Sequence, residues 1–280
     1  MQDCWEIDCY RRPLADHNHS PLWELVVCKS QGELLLTCTC PQTAVSADWV
    51  VAQLTPLLAA VTHPPAAFCL FRPQALALIE AAGQLLGVPV IPTRRTPGLK
   101  RCLQERATVY PTLPAYTGQP YQPIALDRPP PTPLAEKLWA DRWRFATIGA
   151  ANLLDAVVDR PIPILENPQE LDPVKLGLAS TTAIPGVVID GGRQSMLLAR
   201  WLQQTQPVSL HFIGGDPDGL VLEAGLVDRW ILATCNDPEV EIAGRQFETR
   251  KQVSQGLHFL LVQPDDTGIT YTGFWLLLAE

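Results

Sequence analysis

No stretch of this chain approaches the 18 or more consecutive apolar residues that a membrane-spanning helix needs. Asp3, Glu6 and Asp8 interrupt the N-terminus at once, and no Arg/Ser-rich, acid-poor leader is present. The expectation is therefore a cytoplasmic bacterial protein with no membrane span. There is no C-x-x-C. The eight cysteines (4, 9, 28, 38, 40, 69, 102 and 235) and five histidines (17, 19, 63, 211 and 258) show no paired spacing for zinc, so no metal and no cofactor is expected. Most cysteines lie in apolar runs, such as Cys28 after Val26-Val27, and read as small buried hydrophobes in a reducing compartment. His211 and His258 sit in apolar strands and read as satisfied core histidines. The full G-x-G-x-x-G and P-loop spacings are missing; the turn Asp190-Gly191-Gly192 either cradles a phosphate or simply reverses the chain. No G-x-S-x-G elbow or other catalytic arrangement stands out, so the chain reads as non-enzymatic.

What is present is a globular composition, 47% hydrophobic and 18% charged, in a length sufficient for one large or two ordinary domains. The net charge of −8 argues against sequence-blind nucleic-acid binding, which relies on phosphate neutralisation. The charge is unevenly placed. Residues 1–150 hold 13 Lys/Arg against 12 Asp/Glu, and residues 151–280 hold 8 against 17. Any surface for a polyanion should centre on the first half.

The stretch Phe68–Pro111 contains one pattern twice. An apolar run (Phe68, Leu70, Phe71) ends in Arg72, and Pro73 opens a helical segment; a second run (Val88, Val90, Ile91) ends in Arg94, Arg95 and Thr96, and Pro97 opens another. Pro suits the first helical position and Thr96 is a good N-cap. Two consecutive strand–helix units predict a parallel pair whose strand ends and helix N-termini share one sheet edge, where open α/β sheets bind ligands. Cations at positive helix ends repel unless an anion completes the site. Arg72, Arg94, Arg95, Lys100, Arg101 and Arg106, against only Glu80 and Glu105, thus form a candidate phosphate site. The alternative is that they pair with acids elsewhere, Glu24 or Glu105 among them.

Before this stretch, Trp5–Arg11 alternates, with Trp5, Ile7 and Cys9 on one face and Glu6, Asp8 and Tyr10 on the other, which predicts a half-buried strand. Leu22–Cys28 and Glu33–Thr39 complete a three-strand meander. Ser46 caps a helix to about Val61, kinked at Pro56. The order of three strands followed by alternating helix and strand units is ribonuclease H-like. Such nucleases hold divalent metal on several carboxylates. Asp8 stands on the first strand, but Ala67–Phe71 carries no acid, so the acidic set is incomplete.

Tyr110–Pro133 carries eight prolines. The expected organisation is an N-terminal α/β domain (1–115), a linker (116–133), in part extended against the fold, and a second, mixed α/β domain (134–280). In the latter, Leu134–Ala140 reads as a short helix, Trp143–Ile148 as a strand and Ala150–Val158 as a helix, while 160–185 has no clear pattern. Strands then follow at Val187–Ile189, Val208–Ile213, Leu220–Glu223, Trp230–Thr234, Leu257–Val262 and Ile269–Leu278, with helices at Ser195–Gln204 and Phe247–Gln255. Residues 228–234 echo residues 141–147 at five of seven positions, as two strands of one sheet, a decayed duplication or chance would give.

Several motifs together resemble one family. F-R-P-Q at Phe71–Gln74, R-R-T at Arg94–Thr96, L-x-E-R at Leu103–Arg106, V-Y-P at Val109–Pro111, W-E-I-D-C-Y-R-R-P at Trp5–Pro13, W-E-L at Trp23–Leu25, D-R-W at Asp141–Trp143, G-L-H-F at Gly256–Phe259 and G-F-W-L-L at Gly273–Leu277 are similar to the TAB-two (Atab-two) RNA-binding proteins of cyanobacteria and chloroplasts. The resemblance implies an RNA-binding translation factor for photosystem I reaction-centre subunits. Its implied partners are the mRNA leader of such a subunit and the ribosome or other translation factors. It also implies that Trp275, Leu276 and Leu277 take part in RNA binding. Trp143 is a further candidate for stacking on an unpaired base, although F-W-L-L-L also reads as core. The competing readings are a metal-dependent or degenerate nuclease and a protein-interaction scaffold for photosystem I biogenesis.

Overall fold

The structure, a computed structural model, describes residues 4–153, 155–158 and 160–279. The chain is mixed α/β and divides into two compact units, Met1–Asp127 and Arg128–Glu280.

In the first unit β1 (Cys4–Ala15), β2 (Pro21–Lys29) and β3 (Leu34–Pro41) form an antiparallel meander. Helix α1 (Ala47–Ala60) starts where Ser46 Oγ accepts the Trp49 N–H at 3.1 Å, a side-chain N-cap. Next come β4 (Ala67–Leu70), α2 (Pro73–Leu86), β5 (Val90–Pro92) and α3 (Pro97–Val109). The strands β1, β4 and β5 are parallel, and the sheet order is β3-β2-β1-β4-β5. Both helices of the repeated pattern open on their proline. Gly87 ends α2 in the left-handed region (φ 70), where a side chain would be strained.

Helices α1 and α2 cover one face of this sheet, burying Trp5, Ile7, Cys9, Leu25 and Val27 against Val50, Leu54 and Ile79. The alternation of β1 predicts an open opposite face, and there the structure differs. Glu6 and Asp8 are both buried. Helix α3 packs over that face through Leu99, Cys102 and Leu103 against Val26, Cys28 and Phe71. The chain after α3 stays on the unit: Ala15 N–H donates to Ala115 O at 2.9 Å and Thr117 N–H to Pro13 O at 3.0 Å.

The second unit contains β6 (Thr132–Pro133), β7 (Arg142–Gly149), α4 (Ala150–Leu153), α5 (Asp155–Val158), β8 (Ile164–Glu166), β9 (Ala183–Asp190), α6 (Ser195–Thr205), β10 (Pro207–Ile213), β11 (Asp218–Ala224), β12 (Asp228–Cys235), α7 (Pro238–Val253), β13 (Leu257–Gln263) and β14 (Gly273–Leu278). Two sheets form, β10-β11-β12-β6 and β7-β9-β13-β14-β8. They share a core in which Leu210, Leu220 and Leu222 of the first meet Val187, Ile189, Leu260 and Trp275 of the second, with Leu198 and Leu202 of α6.

Two sequence expectations change here, and one explanation of the echoed segments falls away. The helix expected at Phe247 begins at Pro238, where Asp237 accepts the Glu239 N–H at 2.9 Å and proline takes the first position. The helix expected over 134–140 is a single 3₁₀ turn, Glu136–Leu138. The echoed strands β7 and β12 lie in different sheets, although Trp143 and Trp230 both pack on the shared core.

Among the described residues strand β10 pairs with β11 on one side only. On its other side Leu210 N–H donates to His258 Nε2 at 2.8 Å, Lys251 Nζ donates to Leu210 O at 2.6 Å, and Phe212 N–H donates to Glu248 Oε1 at 2.8 Å.

Candidate nucleic-acid interface

Burial of Glu6 and Asp8 decides what the arginine cluster does. Asp8 is wholly buried and divides its carboxylate between two guanidinium groups, accepting from Arg72 Nε at 3.0 Å and from Arg12 Nη2 at 3.0 Å. Arg12 Nε donates to Glu24 Oε2 at 3.1 Å and Nη1 to the Tyr121 hydroxyl at 2.7 Å. Glu24 also accepts from Arg106 Nη2 and, at 2.5 Å, from the Tyr110 hydroxyl. Arg72 completes its fork with Pro123 O at 2.7 Å and Ala125 O at 3.1 Å, and stacks 4.2 Å over the Tyr10 ring. Burial alone lowers the Arg12 pKa; Asp8, Tyr121, Tyr110 and Glu24 more than offset it, and the net direction is up. Burial raises both tyrosines.

The anion expected at the N-terminus of α3 also comes from the chain itself. Leu99 N–H donates to Glu6 Oε2 at 2.7 Å. Thr96 stands at the N-cap position, but its hydroxyl makes no cap bond. Burial pushes the Glu6 carboxyl up, and the Leu99 amide pulls it back in part.

The six sequence-predicted cations therefore separate. Arg72 and Arg94 are buried and Arg106 is half-buried against Glu24. Arg95 and Arg101 are exposed and Lys100 half-exposed. Lys100 Nζ donates to Arg94 O at 2.6 Å, and Arg101 Nη1 to Gln31 O at 3.2 Å. These two bonds tie the charged ends of Lys100 and Arg101 to backbone carbonyls around the first turns of α3, next to the exposed Arg95.

In the second unit Trp275 and Leu277 are interior residues of the shared core, and Leu276 is interior to a second cluster with Phe259 and Phe274 on the far side of the sheet. In this fold none of the three presents a surface to a base. Trp143 is half-buried, edge-on to Phe145 at 5.3 Å, and lines a hollow of about 310 Å³ with Arg142, Arg144, Asp190 and Asp266. The Asp190-Gly191-Gly192 turn gives its amides to carbonyls, Gly191 N–H to Gln263 O at 2.8 Å and Gly192 N–H to Pro264 O at 3.0 Å, which leaves them no phosphate to cradle.

Two histidines resolve chemically. His258 accepts from Leu210 N–H at Nε2, so its proton lies on Nδ1 and is donated to Gly256 O at 2.8 Å. Burial lowers its pKa to about 3. His211 lies between Ser209 Oγ (2.9 Å) and Lys251 Nζ (3.3 Å). Lys251 has only protons to offer when charged, so Nδ1 accepts and Nε2 carries the hydrogen toward Ser209. That tautomer is the reverse of what a base activating serine requires. Burial lowers the pKa of His211, and the neighbouring Lys251 lowers it further.

Two mixed α/β units, the first with an outward cation cluster, are compatible with a polyanion-binding protein. Both units match models of one RNA-binding family, described as RNA-binding protein Tab2/Atab2: the N-terminal model over residues 4–106 and the C-terminal domain model over residues 121–278. The chain belongs to the Tab2/Atab2 family of RNA-binding proteins. It is 30% identical over 283 residues to "Protein TAB2 homolog, chloroplastic" of Zea mays, covering 98% of this chain and 71% of that protein. It is 28% identical over 278 residues to the protein of the same name from Arabidopsis thaliana, covering 98% and 74%.

Proposed function

We propose that this protein binds RNA without cleaving it and serves, in the cytoplasm of a cyanobacterium, as a translation factor for the mRNA of a photosystem I reaction-centre subunit, acting with the ribosome or its factors. The observation that carries the reading is the match of both units, in order, to one RNA-binding family. The exposed Arg95 and Arg101, with the half-exposed Lys100, supply the phosphate contacts of the first unit. Arg72, Arg94 and Arg106 support that surface from inside the fold. Binding rather than hydrolysis is favoured at Asp8, because a divalent metal there would have to displace both arginines from the carboxylate. No helix among the described residues is long and apolar enough to cross a membrane.

The test is crosslinking of bound RNA in cells followed by sequencing, with enrichment of photosystem I subunit leaders expected. In vitro, Arg95→Ala with Arg101→Ala should weaken RNA binding and reduce the logarithmic salt slope by about 0.7 for each phosphate that no longer meets a cation. An unchanged affinity and slope would remove this surface from the interface.

A further inference from the structure

We propose that Trp139 is a stacking platform for an unpaired base of bound RNA; this rests on the RNA-binding reading above and assigns that function a residue in the second unit. The sequence gives no reason to single it out among eight tryptophans. The structure does. Trp5 and Trp275 are buried, Trp23, Trp49, Trp143, Trp201 and Trp230 are half-buried, and Trp139 alone is exposed, at 58%.

Its exposure is built into the local chain. Leu134 and Leu138 on either side are anchored in the shared core, and the 3₁₀ turn Glu136–Leu138 between them ends at Trp139. The indole N–H donates to Leu134 O at 3.0 Å. The polar edge of the ring is thus satisfied within the protein, and the ring is held in one orientation while more than half of the residue faces water. An aromatic ring fixed before a ligand arrives loses little freedom on binding. Exposure alone is ordinary for an apolar side chain; what sets Trp139 apart is an exposed aromatic ring whose polar edge is already tied down.

The neighbouring charges are mixed, with the exposed acids Glu136 and Asp141 beside two exposed cations that a phosphate can meet. Lys137 is exposed two residues before. Arg142 is 77% exposed three residues after, a span of about 10 Å of extended chain. Its ion pair with Asp266, at 4.0 Å between two exposed groups, is of little strength and yields readily to a phosphate. Every base offers a π-face, so a single ring contributes affinity without demanding a sequence. Proteins that read single-stranded RNA combine such rings with nearby cations.

The experiment measures binding of the full chain to a random-sequence pool of single-stranded RNA 30-mers by filter retention, for wild type, Trp139→Ala, Trp139→Phe and the Arg95→Ala/Arg101→Ala double variant. Trp139→Ala should bind about 5- to 150-fold more weakly, the range of one base–aromatic stack. Its salt slope should stay unchanged, because every cation that meets a phosphate is still in place, and Trp139→Phe should recover most of the affinity. Thermal midpoints of the variants should match wild type, since the ring lies outside the core. If Trp139→Ala binds like wild type while the double arginine variant is weakened, the RNA reading stands and this site is wrong, leaving the ring to a protein partner. If the wild type retains neither this pool nor the RNA recovered by crosslinking in cells, both fall together.

Discussion

The backbone N–H of Leu99 donates to the carboxylate of Glu6 at 2.7 Å, across 93 positions of sequence. A residue on the first strand therefore does for helix α3 what an N-cap side chain does elsewhere. Glu6→Ala should leave a buried N–H unsatisfied and lower stability by about 1–3 kcal/mol. Glu6→Gln keeps an acceptor and should cost less. Urea midpoints of the two variants measure the difference.

Arg72 and Arg95 should behave as opposites. Arg72→Ala leaves Asp8 sharing a buried site with Arg12 alone, and removing one partner of a buried pair costs about 3–5 kcal/mol. Arg95→Ala should leave the urea midpoint within experimental scatter and weaken RNA binding. Midpoint and affinity measured on both variants should show this crossed pattern.

We propose that residues 1–127 are separable as a domain, with the segment after residue 115 as an integral part of it. Tyr121 accepts from Arg12, and the carbonyls of Pro123 and Ala125 accept from Arg72. A fragment ending at residue 115 deprives two buried guanidinium groups of those acceptors. It should denature at lower urea than a fragment ending at residue 127, and equal midpoints would contradict the proposal.

Trp275 is 2% exposed, and its indole N–H has no hydrogen-bond partner among the described residues. Trp275→Phe therefore loses volume but no hydrogen bond, whereas Trp275→Ala opens a cavity costing about 3–5 kcal/mol. We expect Trp275→Phe, once shown to be folded by near-ultraviolet circular dichroism, to bind RNA as wild type does. Loss of affinity in a folded Trp275→Phe would instead put the indole in contact with a base.

His258 makes stability depend on pH with a definite sign. Its pKa falls from an ordinary 6.5 in the unfolded chain to about 3 in the fold. Between those values the unfolded chain binds the extra proton, so the contribution of His258 is fully present above pH 6.5 and is lost as pH falls toward 3. The slope from this one group is at most about 1.4 kcal/mol per pH unit. His258→Gln retains an acceptor for Leu210 N–H and should flatten the acid limb of the stability profile.

The sequence declares its elements where signals are local. Ser46 and Pro73 mark helix starts, and the strands of the meander announce themselves by short turns, so the order of elements in the first unit was legible. Asp237-Pro238 is an equally local signal for α7, which starts nine residues before the expected Phe247. Arg72 was legible as a special residue but not as an inward one, because its partner Asp8 lies 64 positions away. The period-2 pattern of β1 suggested an open face, since Glu6 and Asp8 look like solvent residues until α3 and Tyr121–Ala125 are placed over them. Trp139 was invisible for the converse reason: exposure is a property of everything that fails to cover a residue, and no motif records it.

The bonds along the free side of β10 bear on how this protein survives at high concentration. A strand with one unpaired side offers a row of donors and acceptors on which another chain can build. At Leu210 and Phe212 that row is already occupied by His258, Lys251 and Glu248. The buried histidine and lysine, groups that folding alone would not favour, thus deny a foreign strand its first hydrogen bonds. Their removal would leave Leu210 N–H and C=O unpaired, which both lowers stability and opens this edge to self-association.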